Sequence, residues 1–116
     1  MRLTNAVTLG QTGTGRLNLE LETGAGFVDA LQLQDPKTGE PIDWPEGVRV
    51  WIITRNKATA RTQQWQAEVS GPWLRWNVGS DKVHEVSRDA WAELWISYAQ
   101  AAPVLWAEGP VSWTRR

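Results

Sequence analysis

Cysteine is absent from the 116 residues, which excludes disulfide staples and thiolate metal sites and leaves packing alone to hold the fold. Histidine occurs once, as His84 in the polar stretch Lys82-Val83-His84-Glu85. One imidazole without cysteine supports neither a zinc site nor a nucleophile–base pair, so no metal or cofactor is expected and His84 reads as a surface residue. An excess of charge is also missing. Twelve basic residues face thirteen acidic ones, with no long block of either sign, and neither nucleic acid nor an anionic membrane is an expected partner. No stretch approaches the roughly 20 apolar residues of a membrane span, and Met1–Asn5 leads into no long apolar run, so a soluble chain without a signal segment is expected. Phenylalanine and tyrosine occur once each.

Against that scarcity stand nine tryptophans. The chain is one ordinary domain in length, 1–116, with room for a single core. A large aromatic buries roughly 150–250 Å², so a core of this size takes most of the rings but leaves some near the surface. Surface tryptophan is what protein interfaces use, and it also serves as a stacking platform for sugars.

The least ambiguous element follows the turn-rich approach Pro41–Gly47. Val48 to Thr54 is a β-branched and aromatic run, the composition of a strand. Alternation places Val48, Val50 and Ile52 on one face and Arg49, Trp51 and Ile53 on the other. Neither face is cleanly polar, which predicts an interior strand or a covered outer face.

Upstream, Ala6–Leu9 suits a short strand and Gly10–Gly15 a turn. A phosphate-cradling loop would need a following Lys-Ser or Lys-Thr and a helix, whereas Arg16–Glu22 alternates at period two, with Leu17, Leu19 and Leu21 towards a core. Phe27–Gln34 predicts another strand, ending at the turn Asp35–Gly39, which lacks the ligand spacing of a calcium loop. Downstream, Arg55–Thr62 reads as a solvated loop. Trp65–Val69 and Trp73–Val78 form a hairpin around Ser70-Gly71-Pro72, with Leu74, Trp76 and Val78 inward. Trp73 and Arg75 then project from the opposite face, either as a stacked surface pair or as a partner contact.

Gly79–Ala102 admits two readings. With Ser80 as N-cap, Val83, Val86, Ala90, Leu94 and Tyr98 recur at helical spacing. Alternatively a helical turn at 81–86 precedes a strand over Trp91–Tyr98, and the tryptophan and isoleucine content favours that division. Val104–Glu108 and Val111–Thr114 complete the set, separated by a bulge or kink at Gly109-Pro110. Short strands divided by glycine, proline and aspartate turns predict an all-β chain, a single antiparallel β-sandwich of immunoglobulin-like or jelly-roll-like kind, with at most one short helix near 81–86. A long helix at 80–98 would make it α+β. Val50, Ile52, Trp76 and Leu94 are the expected core.

Chemistry is sparse. Asp29, Asp35, Asp43, Asp81, Asp89, Glu68 and Glu93 could supply a carboxylate pair for acid/base work, but nothing in the sequence selects one. The order Gly39-Glu40-Pro41-Ile42-Asp43-Trp44-Pro45, a strand after Gly47, then Trp65-Gln66-Ala67-Glu68-Val69, Leu74-Arg75-Trp76, Leu94-Trp95-Ile96-Ser97 and Leu105–Val111, resembles the LtfC-like group, small β-sandwich proteins of phages infecting actinobacteria. The likeness spans roughly residues 9 to 113, the size of one such domain. More loosely, the chain is similar to N-terminal sandwich domains of phage baseplate and receptor-binding-protein carriers. The resemblance implies a virion structural protein of the tail or host-adsorption apparatus, without enzymatic activity, found in the virion and in the host cytoplasm during assembly. Its partners would be other virion proteins or further copies of itself.

If Val50, Ile52, Leu74 and Trp76 fill the core, Trp51 and Trp73 point away from it. With Arg75 beside Trp73 they form the candidate partner surface. A carbohydrate-binding sandwich is the alternative, with Trp51, Trp73 or Trp95 stacking on glycans of the host envelope. A small hydrolase using two carboxylates ranks third.

Overall fold

The computed structural model describes residues 15–35 and 37–114. The strand expected at Ala6–Leu9 and nearly all of the glycine-rich turn after it lie outside those residues. In chain order the elements are β1 (Gly15–Arg16), β2 (Leu19–Glu22), β3 (Phe27–Gln32), β4 (Arg49–Arg55), β5 (Thr62–Gln66), β6 (Glu68–Ser70), β7 (Trp73–Val78), α1 (Ser80–His84), β8 (Trp91–Ser97) and β9 (Val104–Thr114).

Period-two burial decides how they pack. In β4, Val50, Ile52 and Thr54 are buried, and in β7, Leu74, Trp76 and Val78 are buried, while the residues between them are exposed or half-buried. A strand with one apolar side must cover that side with another layer. The result is a two-sheet sandwich. One sheet runs β1-β9-β8-β4-β5 with β2 also on β9, and the other runs β3-β7-β6. Val50, Ile52, Trp76 and Leu94 meet between them, each 1% exposed or less. Leu17, Leu19 and Leu21 join the same core.

Pairing is antiparallel throughout the smaller sheet and across β5-β4-β8-β9. β1 and β2 depart from the wholly antiparallel expectation, because both lie parallel to β9. Their hydrophobic alternation reports which face is buried and carries no information about strand direction.

The expected Trp65–Val69 strand is divided between the sheets. Trp65 and Gln66 pair with β4, Glu68 to Ser70 pair with β7, and Ala67 at the corner donates its N–H to the Val50 carbonyl at 2.8 Å. The expected hairpin with Trp73–Val78 is present in its Glu68–Ser70 part. A strand that changes sheets in this way makes a corner without a loop. Part of the solvated loop predicted at Arg55–Thr62 is strand, since β4 and β5 pair up to Arg55 opposite Thr62.

Residues 79–102 divide into α1 and β8, as the tryptophan and isoleucine content predicts. α1 covers Ser80–His84 rather than 81–86, and its N-cap is Gly79, with no side-chain capping bond, so Ser80 does not play the capping role. Buried Val83 and Val86 anchor the segment instead.

Gly109-Pro110 does not break its strand. β9 runs through it, and the interruption falls on the neighbour: Leu17 and Asn18, between β1 and β2, lie beside it, with Leu17 N–H bonded to the Glu108 carbonyl at 2.9 Å. A Cβ at Gly109 would sit 2.0 Å from the Leu17 carbonyl oxygen, so only glycine admits the N-terminal strand here. The irregularity in β9 lies earlier, where Leu94 pairs with Ala107 but Trp95 with Leu105. The extra residue, Trp106, turns inward beside Ala107 and meets the Trp44 ring edge-on at 5.9 Å.

Candidate functional site

Chemistry-bearing side chains collect on the two outer faces. On the smaller sheet, Trp73 and Arg75 follow one another on the outward side of β7, and the guanidinium lies 5.2 Å from the indole centroid. Across the strands Trp73 stands opposite Gln32 and Ser70, and Arg75 opposite Ala30 and Glu68. Val28, on the edge strand of this face, is 67% exposed, the most exposed large apolar side chain among the described residues. An open depression of about 630 Å³ adjoins it, lined by Val28, Ala30, Glu68, Arg75 and Asn77 among others.

Trp51 is elsewhere. It projects from β4 on the outer face of the larger sheet, opposite Trp95 of β8 and Gln66 of β5, with Arg49 6.0 Å from its ring. The predicted trio is therefore two sites on opposite faces of the sandwich. Trp73 and Arg75 belong together, and Trp51 does not join them. Parity along a strand shows that a residue points outward, but not from which layer.

Three adjacent cross-strand rows hold the tryptophans of the larger face together with the carboxylates of Glu93 and Glu108. In the upper row Trp51, Trp95 and Leu105 are side by side. The middle row carries Ile53, Glu93, Glu108 and Arg16, and the lower row Arg55, Trp91 and Pro110. Hydrogen bonds link the rows. Trp95 Nε1–H donates to Glu93 Oε1 and Trp91 Nε1–H to Glu108 Oε1, each at 3.0 Å. Arg55 Nη2 also reaches Glu93 Oε1 at 3.4 Å. Lys57 lies over the Trp91 ring at 5.7 Å.

The model of the LtfC-like, beta-sandwich domain family matches residues 13–114 of this sequence. The chain belongs to that family. No match was found among curated proteins. The match takes in Leu17–Leu21 as well as the tryptophan-rich segments, so the N-terminal strands are part of the LtfC-like domain.

In this LtfC-like sandwich Trp91, Glu108 and the facing of Glu93 by Glu108 escape sequence reasoning. The alternation Trp91-Glu93-Trp95 is visible in β8, but the partner of Glu93 depends on the register with β9, which the bulge at Trp106 shifts. His84 is exposed and borders a polar hollow of about 420 Å³ with Thr59, Arg61, Gln63 and Glu85. No group of three or more histidine, aspartate or glutamate side chains suited to a metal ion occurs among the described residues. No helix among them is long and apolar enough to cross a membrane.

Proposed function

We propose that this LtfC-like protein is a non-enzymatic structural module of a phage virion, within the tail or host-adsorption apparatus. It docks through the outer face of the smaller sheet onto another virion protein or another copy of itself. The exposed Val28 on the same face as the stacked Trp73–Arg75 pair carries this reading. Val28 shares this face with the Trp73–Arg75 pair, two same-face cross-strand pairs along from Trp73, and an apolar side chain, a tryptophan and an arginine on one face have the composition of a binding hot spot, with Gln32, Glu68 and Asn77 as polar neighbours. The family membership supplies the sandwich, and the resemblance of the tryptophan-bearing segments to phage sandwich modules supplies the setting.

Immunodetection in gradient-purified particles tests the placement, and Trp73→Ala tests the surface. The protein is expected in intact particles, and the variant is expected to fold normally and to be lost from them. A protein confined to the soluble fraction of infected cells would overturn the virion reading. Normal incorporation of Trp73→Ala would overturn the docking face.

A further inference from the structure

We propose that the outer face of the larger sheet is a binding platform for neutral hexose oligosaccharides, laid along β8 between Trp91 and Trp95. Those residues are four apart on one strand and one face, so their backbones are about 13–14 Å apart, room for several sugar rings. Trp51 widens the platform at the Trp95 end. A pyranose offers apolar C–H faces that lie on an indole and a rim of hydroxyls that need charged or polar partners. The face supplies both in alternation, with Glu93, Glu108 and Arg55 between and beside the rings.

The rings are held in advance of any ligand. Each indole N–H is bonded to a carboxylate of the middle row at 3.0 Å, which fixes its orientation and reduces the ordering cost of binding. Those carboxylates use only Oε1 in the bonds just described. A carboxylate has about four acceptor positions, so Glu93 and Glu108 retain acceptor capacity for sugar hydroxyls beyond these bonds. Lys57 and Arg49, both exposed, lie over the half-buried Trp91 and Trp51 rings, so a stacked sugar would take the place that these cations hold.

Other ligand classes fit less well. The charged row through the centre divides the apolar surface, whereas the centres of protein interfaces are depleted of charge. The facing carboxylates repel phosphate, which disfavours nucleic acid. The proposal is independent of the virion reading, because it concerns the other face of the sandwich.

Titration calorimetry and tryptophan fluorescence, with cellotetraose, maltotetraose and mannotetraose as probes up to millimolar concentration, provide the test. At least one probe is expected to bind. Trp91→Ala and Trp95→Ala should each weaken it about tenfold or more, as loss of a hot-spot aromatic does. Glu93→Gln and Glu108→Gln retain an acceptor for the indole and should fold normally. They should weaken binding about three- to tenfold, because a charge-assisted hydrogen bond becomes a neutral one. Trp73→Ala should leave sugar binding unchanged. The proposal fails if no probe binds, if binding survives both tryptophan substitutions, or if Trp73→Ala abolishes it. Loss of Trp95→Ala from particles, when the parent protein binds no probe, would assign this face to a protein contact instead.

Discussion

The indole N–H of Trp76 in β7 donates a 2.9 Å hydrogen bond to the main-chain carbonyl of Trp65 in β5, and so ties the two sheets together through the buried interior. The acceptor lies two residues before Ala67, where the chain passes from one sheet to the other. Trp76 is thus both the largest fully buried side chain and a fastener at the corner.

Trp76→Ala is expected to destabilise the fold by about 3–5 kcal/mol, through the cavity and the lost bond together. Trp76→Phe keeps most of the volume and removes the donor, and should cost about 1–3 kcal/mol. Equilibrium urea denaturation separates the two. Equal costs for both variants would show that the lost hydrogen bond, common to the two, outweighs packing at this position.

Gly109→Ala should destabilise by at least about 1–3 kcal/mol, the usual cost of forcing atoms into a packed site. The new methyl would meet the backbone of Leu17, which cannot rotate away as a side chain can. The damage should be local. Amide exchange at Leu17 and along β2 should accelerate while β7 keeps its protection, and uniform acceleration across both sheets would contradict that.

Asn56 joins the β4–β5 turn to the segment after α1, donating to the Glu85 carbonyl at 3.0 Å and accepting from the Ser87 N–H at 2.9 Å. Asn56→Ala removes both bonds and should cost about 1–3 kcal/mol. Thermal melting gives the cost, and faster exchange at the Ser87 amide would locate it. An unchanged Ser87 amide would mean that Val83 and Val86 hold the segment unaided.

Trp73→Ala should change stability by less than about 1 kcal/mol, because the ring lies outside the core and Arg75 is its only stacking partner among the described residues. A loss of several kcal/mol would make Trp73 a structural residue. Denaturation of the isolated protein makes this check separately from any assay of particles.

Local pattern was sufficient wherever one strand face is buried along its whole length. Val50 and Ile52 against Arg49 and Trp51, and Leu74 and Trp76 against Arg75, follow from period two alone, as do the inward Leu17, Leu19 and Leu21. At Trp91–Ser97 a helix fitted the spacing, and β-favouring side chains with strands available on both sides decided the outcome. Long-range pairing was not legible. Nothing near Trp65–Val69 shows that the strand serves two sheets, and the breaker signal at Gly109-Pro110 was expressed in the adjacent chain segment. The candidate surface divided for the same reason. Trp51 and Trp73 were correctly outward, but membership of a sheet depends on partners far away in sequence.

The parallel seating of β1 and β2 on β9 has a mechanical consequence. Tension applied in opposite directions at residues 15 and 114 acts along the strand axes, so the β1–β9 and β2–β9 hydrogen bonds bear the load in shear and yield together. An antiparallel terminal pair pulled at one end would open one bond at a time. Single-molecule extension between these positions should therefore show an abrupt, high-force rupture, lowered in Gly109→Ala, whereas a gradual low-force opening would mean that the N-terminal strands detach before the sandwich is strained.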